Sequence, residues 1–470
     1  KTVIEKSRTF QDQLRANLVL MKTFNADNKL YAAMGIGIQV LNSLGKDLPF
    51  RPSDKTSIIA HFNKTKAIFE SMTCDEFSKL KAMEDSDALI AMNFASELLI
   101  ISYFINQDMG IHFMTYMIQL SLSYGLCKES AFALACCSSL LFSFGDLKAS
   151  KLFCDFALSL LDRLDCKAIL PRVYMSVYTS ILSILKPWKE VAEKLLRGYV
   201  VGMQTGDTIF AMNNARTYCA HRFCCGVDLD VLARDIDILG HQMIDYKQEW
   251  NWNATNALKH SVLTLINYTD VDMQQNTDFL AEGMKILNEH IKENRRLPAA
   301  RFCYYFSCVA YIFRNYDLAG DMMEKKWKLE NNHYKRNDVF GLACFFDCLI
   351  SIALALKMKE DKWTNHALEC FEEVKKHADR TSHRVLLLEA EMDTLMGKTD
   401  NVVSKYNSTI YAARESKHIH EEAIANERAS DFCLSKGDVR ASHYHGEACR
   451  LYLQWGARGK AALLKRDYSV

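Results

Sequence analysis

Cys219, His221, Cys224 and Cys225 lie within seven residues of one another. On a helix His221 faces Cys224 and Cys225 at i+3 and i+4, a separation at which two ligands can share one metal ion. Their neighbours Tyr218, Ala220 and Phe223 are core types, and the chain has no Cys-x-x-Cys, so a buried structural role outweighs a metal or thiol site. His418/His420 and His443/His445 flank the last visible hairpin. Residues two apart point to different faces of a helix, so each pair reads as partly solvated surface. Cys344 and Cys348, at i and i+4 among Phe345 and Phe346, read as core packing. So do Trp250-Asn251-Trp252 and Tyr304-Tyr305-Phe306, although either could line a groove. The basic spots Lys292 to Arg296 and Lys325-Lys326-Trp327-Lys328 alternate with acids or turn residues and read as solvated faces. No phosphate-binding loop, H-E-x-x-H, G-x-S-x-G or His-Arg-Asp triplet occurs. Hence no catalytic residue, metal ligand set or cofactor is assigned to this segment.

The elements that would position these residues are helices. The 470 residues include only 5 Pro and 19 Gly, and 49% are apolar, which favours long uninterrupted helices over strands and tight turns. Lys plus Arg number 58 against 57 Asp plus Glu, so the charge of +1 gives no overall basic field for nucleic acid or an anionic membrane. Sixteen Cys in a chain of this length, several in apolar helical stretches, suggest a reducing, cytoplasmic setting rather than a secreted disulfide framework. The most membrane-like stretch, Ala88 to Ile105, is interrupted by Asn93 and Glu97 and reads as a buried helix covered by the apolar helix after it. The chain opens at Lys1 rather than Met, which suggests a segment of a longer protein.

Between Leu147 and Leu164 the apolar residues Leu152, Phe153, Phe156, Ala157, Leu160, Leu161 and Leu164 recur at helical spacing. The polar residues Lys148, Lys151, Asp155, Ser159 and Asp162 mark the opposite face of one amphipathic helix. Similar patterns predict helices at Thr2 to Phe24, Leu30 to Leu44, Trp188 to Gln204, Val231 to Tyr246, Phe279 to Ile291, Thr364 to His377 and Val439 to Trp455. Pro49 with Pro52, and a loop around Asp270 to Asn276, punctuate them. Gly145-Asp146-Leu147-Lys148-Ala149-Ser150 recurs as Gly437-Asp438-Val439-Arg440-Ala441-Ser442, and twelve residues after each Gly stands a small residue, Ala157 or Cys449. In a helical-hairpin repeat the Gly allows a left-handed turn, the Asp caps the second helix, and the small residues let the helices approach. Gly206-Asp207 is a third such turn and Asn315-Tyr316-Asp317-Leu318-Ala319 a degenerate fourth, at irregular spacings. The expected fold is all-α: one continuous TPR-like α-solenoid of degenerate αα-hairpins over 1–470, superhelical, with a long concave face.

The C-terminal stretch carries a more specific signal. His420-Glu421-Glu422-Ala423-Ile424-Ala425-Asn426-Glu427-Arg428-Ala429, then Gly437, then Leu451-Tyr452-Leu453-Gln454-Trp455-Gly456-Ala457-Arg458-Gly459-Lys460, resembles the end of the tetratricopeptide-like region of very large signalling ATPases. Ile36-Gly37, Tyr124-Gly125, Trp188-Lys189-Glu190, Thr205-Gly206-Asp207 and Tyr218-Cys219 extend the likeness in the same order from Tyr31 to Tyr468. Such proteins join a serine/threonine-kinase-like domain, a STAND-type AAA ATPase domain, this helical region, then GAF and histidine-kinase or cyclase domains. Where they often have a Pro-containing turn, this chain has His377-Ala378-Asp379-Arg380-Thr381. The resemblance implies a noncatalytic sensor and coupling arm that binds protein partners. ATP and Mg are then confined to flanking domains, and any oligomer forms through the full-length protein, a kinase with an ATPase domain. A free-standing adaptor that grips a peptide or partner protein is the alternative, and an enzyme centred on Cys219 to Cys225 a distant third.

Overall fold

The computed structural model describes residues 10–26, 29–45, 55–105, 107–267, 273–330, 340–377 and 382–467. Those residues form twenty-four helices and no strand, with one isolated bridge between Ala82 and Leu126. Helix Leu147–Leu164 shows how the sequence produces them. It buries Phe153, Phe156, Ala157, Leu160 and Leu161 on one face, and Asp146 caps its start by accepting the Ala149 N–H at 3.1 Å. Helices Leu30–Ser43, Trp188–Thr205 and Leu229–Asp245 fall within two residues of the sequence expectation. Helix Met273–Lys292 starts earlier than expected and takes up part of the loop drawn around Asp270 to Asn276. Pro49, Pro52 and the stretch 378–381 lie outside the described residues.

The turns share one backbone conformation more widely than their residues show. Gly145, Gly206 and Gly437 all have positive φ, at 80°, 80° and 66°, as a hairpin-closing glycine requires. Left-handed turns also occur at Gly125, Asp165, Gly226, Lys247, Asn294, Arg314, Lys359, Lys417 and Gly456. From Gly125 to Gly145 to Asp165, from Gly206 to Gly226, from Asn294 to Arg314, and from Lys417 to Gly437, the interval is twenty residues. Other intervals are longer, such as 41 from Asp165 to Gly206 and 45 from Arg314 to Lys359, so the spacing is irregular overall. Lys, Arg, Asn and Asp hold the glycine-like backbone conformation at several turns, at a steric cost of ~1–2 kcal/mol each. The matched turns share one further device. Seven residues before each Gly, Ser138 and Ser430 donate to the backbone carbonyl of the following helix, at Ser150 (2.7 Å) and Ala441 (2.9 Å). Asp438 departs from its counterpart Asp146. It accepts the Arg440 N–H at 2.9 Å and pairs with the Arg440 guanidinium, and the helix starts only at Ala441.

Two compact units result, Lys1–Leu182 with Val201–Asp207, and Ser183–Val200 with Thr208–Val470. In the first, helix Ser86–Ile105 packs against Leu30–Ser43 and Gln107–Tyr124, which cover its apolar surface as expected. Its Glu97 is buried and bonded to Arg172 at 2.9 Å, and Arg172 also donates to Asp207 at 2.7 Å. Among the described residues no helix is long and apolar enough to cross a membrane. Phe77 and Phe156 stack at 4.3 Å beside Phe69 and Phe153, joining the short helix Cys74–Ser78 to Leu147–Leu164.

In the second unit alternate helices Thr208–Cys224, Glu249–Asn267, Arg296–Ile312, Phe340–Met358, His383–Leu395 and Ile419–Ser435 pack on one another in chain order. The chain then returns. Helix Arg458–Asp467 packs against Glu249–Asn267, Trp455 lies 5.9 Å from Phe223, and Arg458 bonds Asp230 at 2.6 Å. The unit closes on itself where a gently curving solenoid would stay open.

An ideal Cβ at Gly437 meets nothing within 4 Å, so replacing it tests backbone strain alone. Gly437→Val is expected to cost about 1–2 kcal/mol in urea unfolding. Lys417→Gly, at φ 60°, is expected to be neutral or stabilising.

Candidate functional site

The family-like run lies on helix Ile419–Ser435, which is buried almost all round and includes His420, Glu421, Glu422, Asn426 and Glu427 among its buried residues. Taking carboxylates out of water costs several kcal/mol each, so each needs cations and hydrogen-bond donors around it. Small residues at Ala423, Ala425 and Ala429 leave room for long side chains from neighbouring helices to reach in.

Glu421 receives the Arg384 guanidinium at 2.9 to 3.1 Å and the His383 Nε2. Arg384 also stacks on the Trp188 ring, 4.4 Å from its centre. Burial opposes ionisation of Glu421, but Arg384 and His383 outweigh it and hold the carboxyl well below the usual range. Glu422 pairs with Arg414 at 2.8 Å, and Asn426 donates to the Glu422 carbonyl at 2.9 Å. One turn on, Glu427 accepts from Lys460 (2.7 Å), Arg314 (2.6 Å) and Tyr452 OH (2.8 Å). Burial pushes this carboxyl up, yet Lys460 and Arg314 together bring it down to about 2. Arg314 also reaches Asp431 at 2.8 Å, while Arg428 bonds Glu391 at 3.0 Å and Glu391 accepts from Tyr406. The degenerate turn at Arg314-Asn315 thus has a second role. Arg314 takes the left-handed conformation a glycine would take more easily, and its side chain supplies a cation to the core.

Trp455 is fully buried against His420, at 5.2 Å, and Phe223. Gly456 follows at φ 91°, and a Cβ there would stand 3.3 Å from the Leu229 backbone. The Trp-Gly ending is therefore part of the place where the second unit closes.

The other candidate residues are placed as follows. Cys219, His221 and Cys224 are buried on helix Thr208–Cys224, and Cys225 is half-buried in the turn beyond it. His221 Nδ1 lies 3.0 Å from the Thr217 carbonyl, and burial raises all three thiols, Cys225 to about 11. Among the described residues no group of three or more His, Cys, Asp or Glu is placed to hold a metal ion. His443 is exposed and His445 half-buried, as expected of surface. The reading of the other pair is corrected for His420, which is 2% exposed because Trp455 and the turn at Gly226 enclose it, whereas His418 is half-buried beside Trp188, as expected. Lys326, read as solvated, is also buried and pairs with Asp347, which accepts from Trp327 as well. Tyr304, Tyr305, Phe306 and Cys348 are core, as their neighbours suggested. The cations Arg314, Arg384 and Arg428 were not singled out from sequence. The available signal was a helix with acids on several faces and alanines between them, a pattern that needs partners.

No protein-family model and no curated protein matches the chain.

Removing one partner of a buried pair leaves an uncompensated charge. Arg384→Met is expected to cost about 3–5 kcal/mol, against ~1 kcal/mol or less for Arg458→Met at the exposed Asp230 pair. With its folded value depressed, Glu427 contributes stability that is present above its ordinary 4.5 and lost as pH falls through about 2. In acid denaturation, Glu427→Gln is expected to flatten that part of the curve.

Proposed function

We propose that the chain is a helical-repeat scaffold, the sensor and coupling arm of a larger ATPase-kinase signalling protein, and that it works by binding protein partners. The observation that carries the binding role is a row of exposed apolar side chains at successive hairpin turns of the second unit. Met358 (42% exposed), Met396 (49%), and Leu434 with Val439 (62% and 89%) follow helices Phe340–Met358, His383–Leu395 and Ile419–Ser435. These helices pack side by side, so their C-terminal ends share an edge. Single exposed apolar residues are ordinary, whereas repetition along one edge suits a protein contact.

The signalling context rests on the resemblance of the Glu421 to Lys460 run. The same run forms the closure of the second unit. A junction of ion pairs between segments far apart in sequence has two natural arrangements, made and broken, and a partner that binds one better would shift the balance. In this reading ATP and Mg belong to flanking domains, and sixteen free thiols suit a reducing cytoplasm. A free-standing TPR-like adaptor is the second reading, favoured by the same apolar edge.

The test is the flanking sequence of the native polypeptide, from its full transcript and the intact mass of the endogenous protein. The coupling-arm reading expects a much longer chain with a phosphate-binding loop upstream. A polypeptide ending near both Lys1 and Val470 would overturn it and leave the adaptor.

A further inference from the structure

Helix Ile419–Ser435 meets the turn beyond Cys224 without slack. A carbon added at Gly226 would stand 2.3 Å from His420 Nδ1, and the Trp455 ring lies 5.2 Å from the imidazole, tilted by 33°. Neither ring nitrogen of His420 has a hydrogen-bond partner, although Nε2 lies 3.5 Å from Glu421 Oε1, and Nδ1 of His418 has none either. The His418 ring sits 4.8 Å from that of His383, 6.2 Å from that of His420, and edge-on to Trp188 at 6.5 Å. The charged and titratable groups facing this pair come from three directions. Glu421 shares the helix, His383 and Arg384 belong to helix His383–Leu395, and on the Thr208–Cys224 side Cys224 and Cys225 lie near Arg384 and Glu421 while His221 packs on Trp188. Trp188 and Trp455 add rings but no charge. Glu421, the anion among these groups, is already engaged by Arg384 in three hydrogen bonds and by His383 Nε2. A proton on His420 would therefore bring an unhydrated charge into an occupied, tightly packed space.

We propose that this junction is an acid-released latch: protonation of His418 and His420 frees helix Ile419–Ser435 and Trp455 from the Cys224–Gly226 turn and opens the second unit where its ends meet. In the closed state burial holds His418 at about 4 and His420 at about 3, despite the pull of Glu421, whereas a freed imidazole returns to 6.5. The sign follows directly. The latch is tight above about pH 6.5 and loses roughly tenfold in closing equilibrium per histidine for each pH unit below it. From pH 7 to pH 5 that amounts to roughly a thousandfold for the pair. The latch stands apart from the coupling-arm reading, because it concerns only contacts within this chain.

Amide hydrogen exchange of the whole chain between pH 7 and pH 5, corrected for the intrinsic rate, tests it. Protection at 223–229, 419–424 and 455–460 is expected to fall by roughly a thousandfold relative to 128–143, and in the His418→Gln, His420→Gln double variant by less than tenfold. Equal loss in all segments of the wild type, or unchanged pH dependence in a folded double variant, overturns the proposal. Should that variant not fold, an NMR titration of the wild-type histidines decides. A His420 resonance that titrates near 6.5 while protection at 419–424 is intact overturns the latch, and one silent until that protection is lost supports it.

Discussion

Two carboxylates, Glu421 and Glu427, set the terms for the second unit. Each sits where water cannot reach it, on a helix whose other neighbours are small, so the rest of the unit must bring cations to fixed places. Arg384, Arg314 and Lys460 do so from three different parts of the chain. That requirement explains why the unit closes: Lys460 reaches Glu427 only when the last helix lies beside the helix of the penultimate hairpin and against Glu249–Asn267. Hydrophobic burial supplies most of the driving force, as in any packed domain, but apolar contacts tolerate sliding by a residue or two. Bidentate and triply bonded carboxylates do not, so the ionic core fixes which hairpin meets which.

The all-helical architecture was plain in the sequence because scarce Pro and Gly and a strong 3.6-residue pattern point the same way. The repeat was legible where Gly marked it, and at Asn315 next to Arg314. At Lys247, Lys359 and Lys417 the same left-handed turn is imposed by the packed helices on either side, and a residue type that usually avoids the conformation gives no sign of it. His420 was misread for a related reason. Spacing along one helix says which faces a residue can occupy, but its burial is produced by Trp455 and Gly226, which are distant in sequence. Lys326 is the same case, since its partner Asp347 lies on the next helix. The motif residues Glu421, Glu422, Asn426, Glu427, Trp455 and Gly456 were legible as a distinctive run, and their location in one junction follows only from the closure.

The first unit handles its buried charge more economically. Arg172 alone joins Glu97 to Asp207 and approaches the Phe132 ring at 5.7 Å, while reciprocal Ser138 and Ser150 hydrogen bonds hold one hairpin together. These short polar bridges do locally what the ionic core does across the second unit. In both, a polar group inside a helix pair specifies a single alignment at modest cost in stability.

Closure also sets the order of events during folding. In an open array each hairpin rests only on its neighbours, so structure can spread from any point as the chain emerges. Here Arg458 must find Asp230, and Trp455 must find Phe223, across more than half the length of the unit. Glu427 likewise waits for Lys460. The earlier hairpins can collapse as they are synthesised, but the acids on helix Ile419–Ser435 stay without their last cation until helix Arg458–Asp467 has left the ribosome. The second unit is therefore completed late in its own synthesis, and a chain cut just before Lys460 would strand a charged interior.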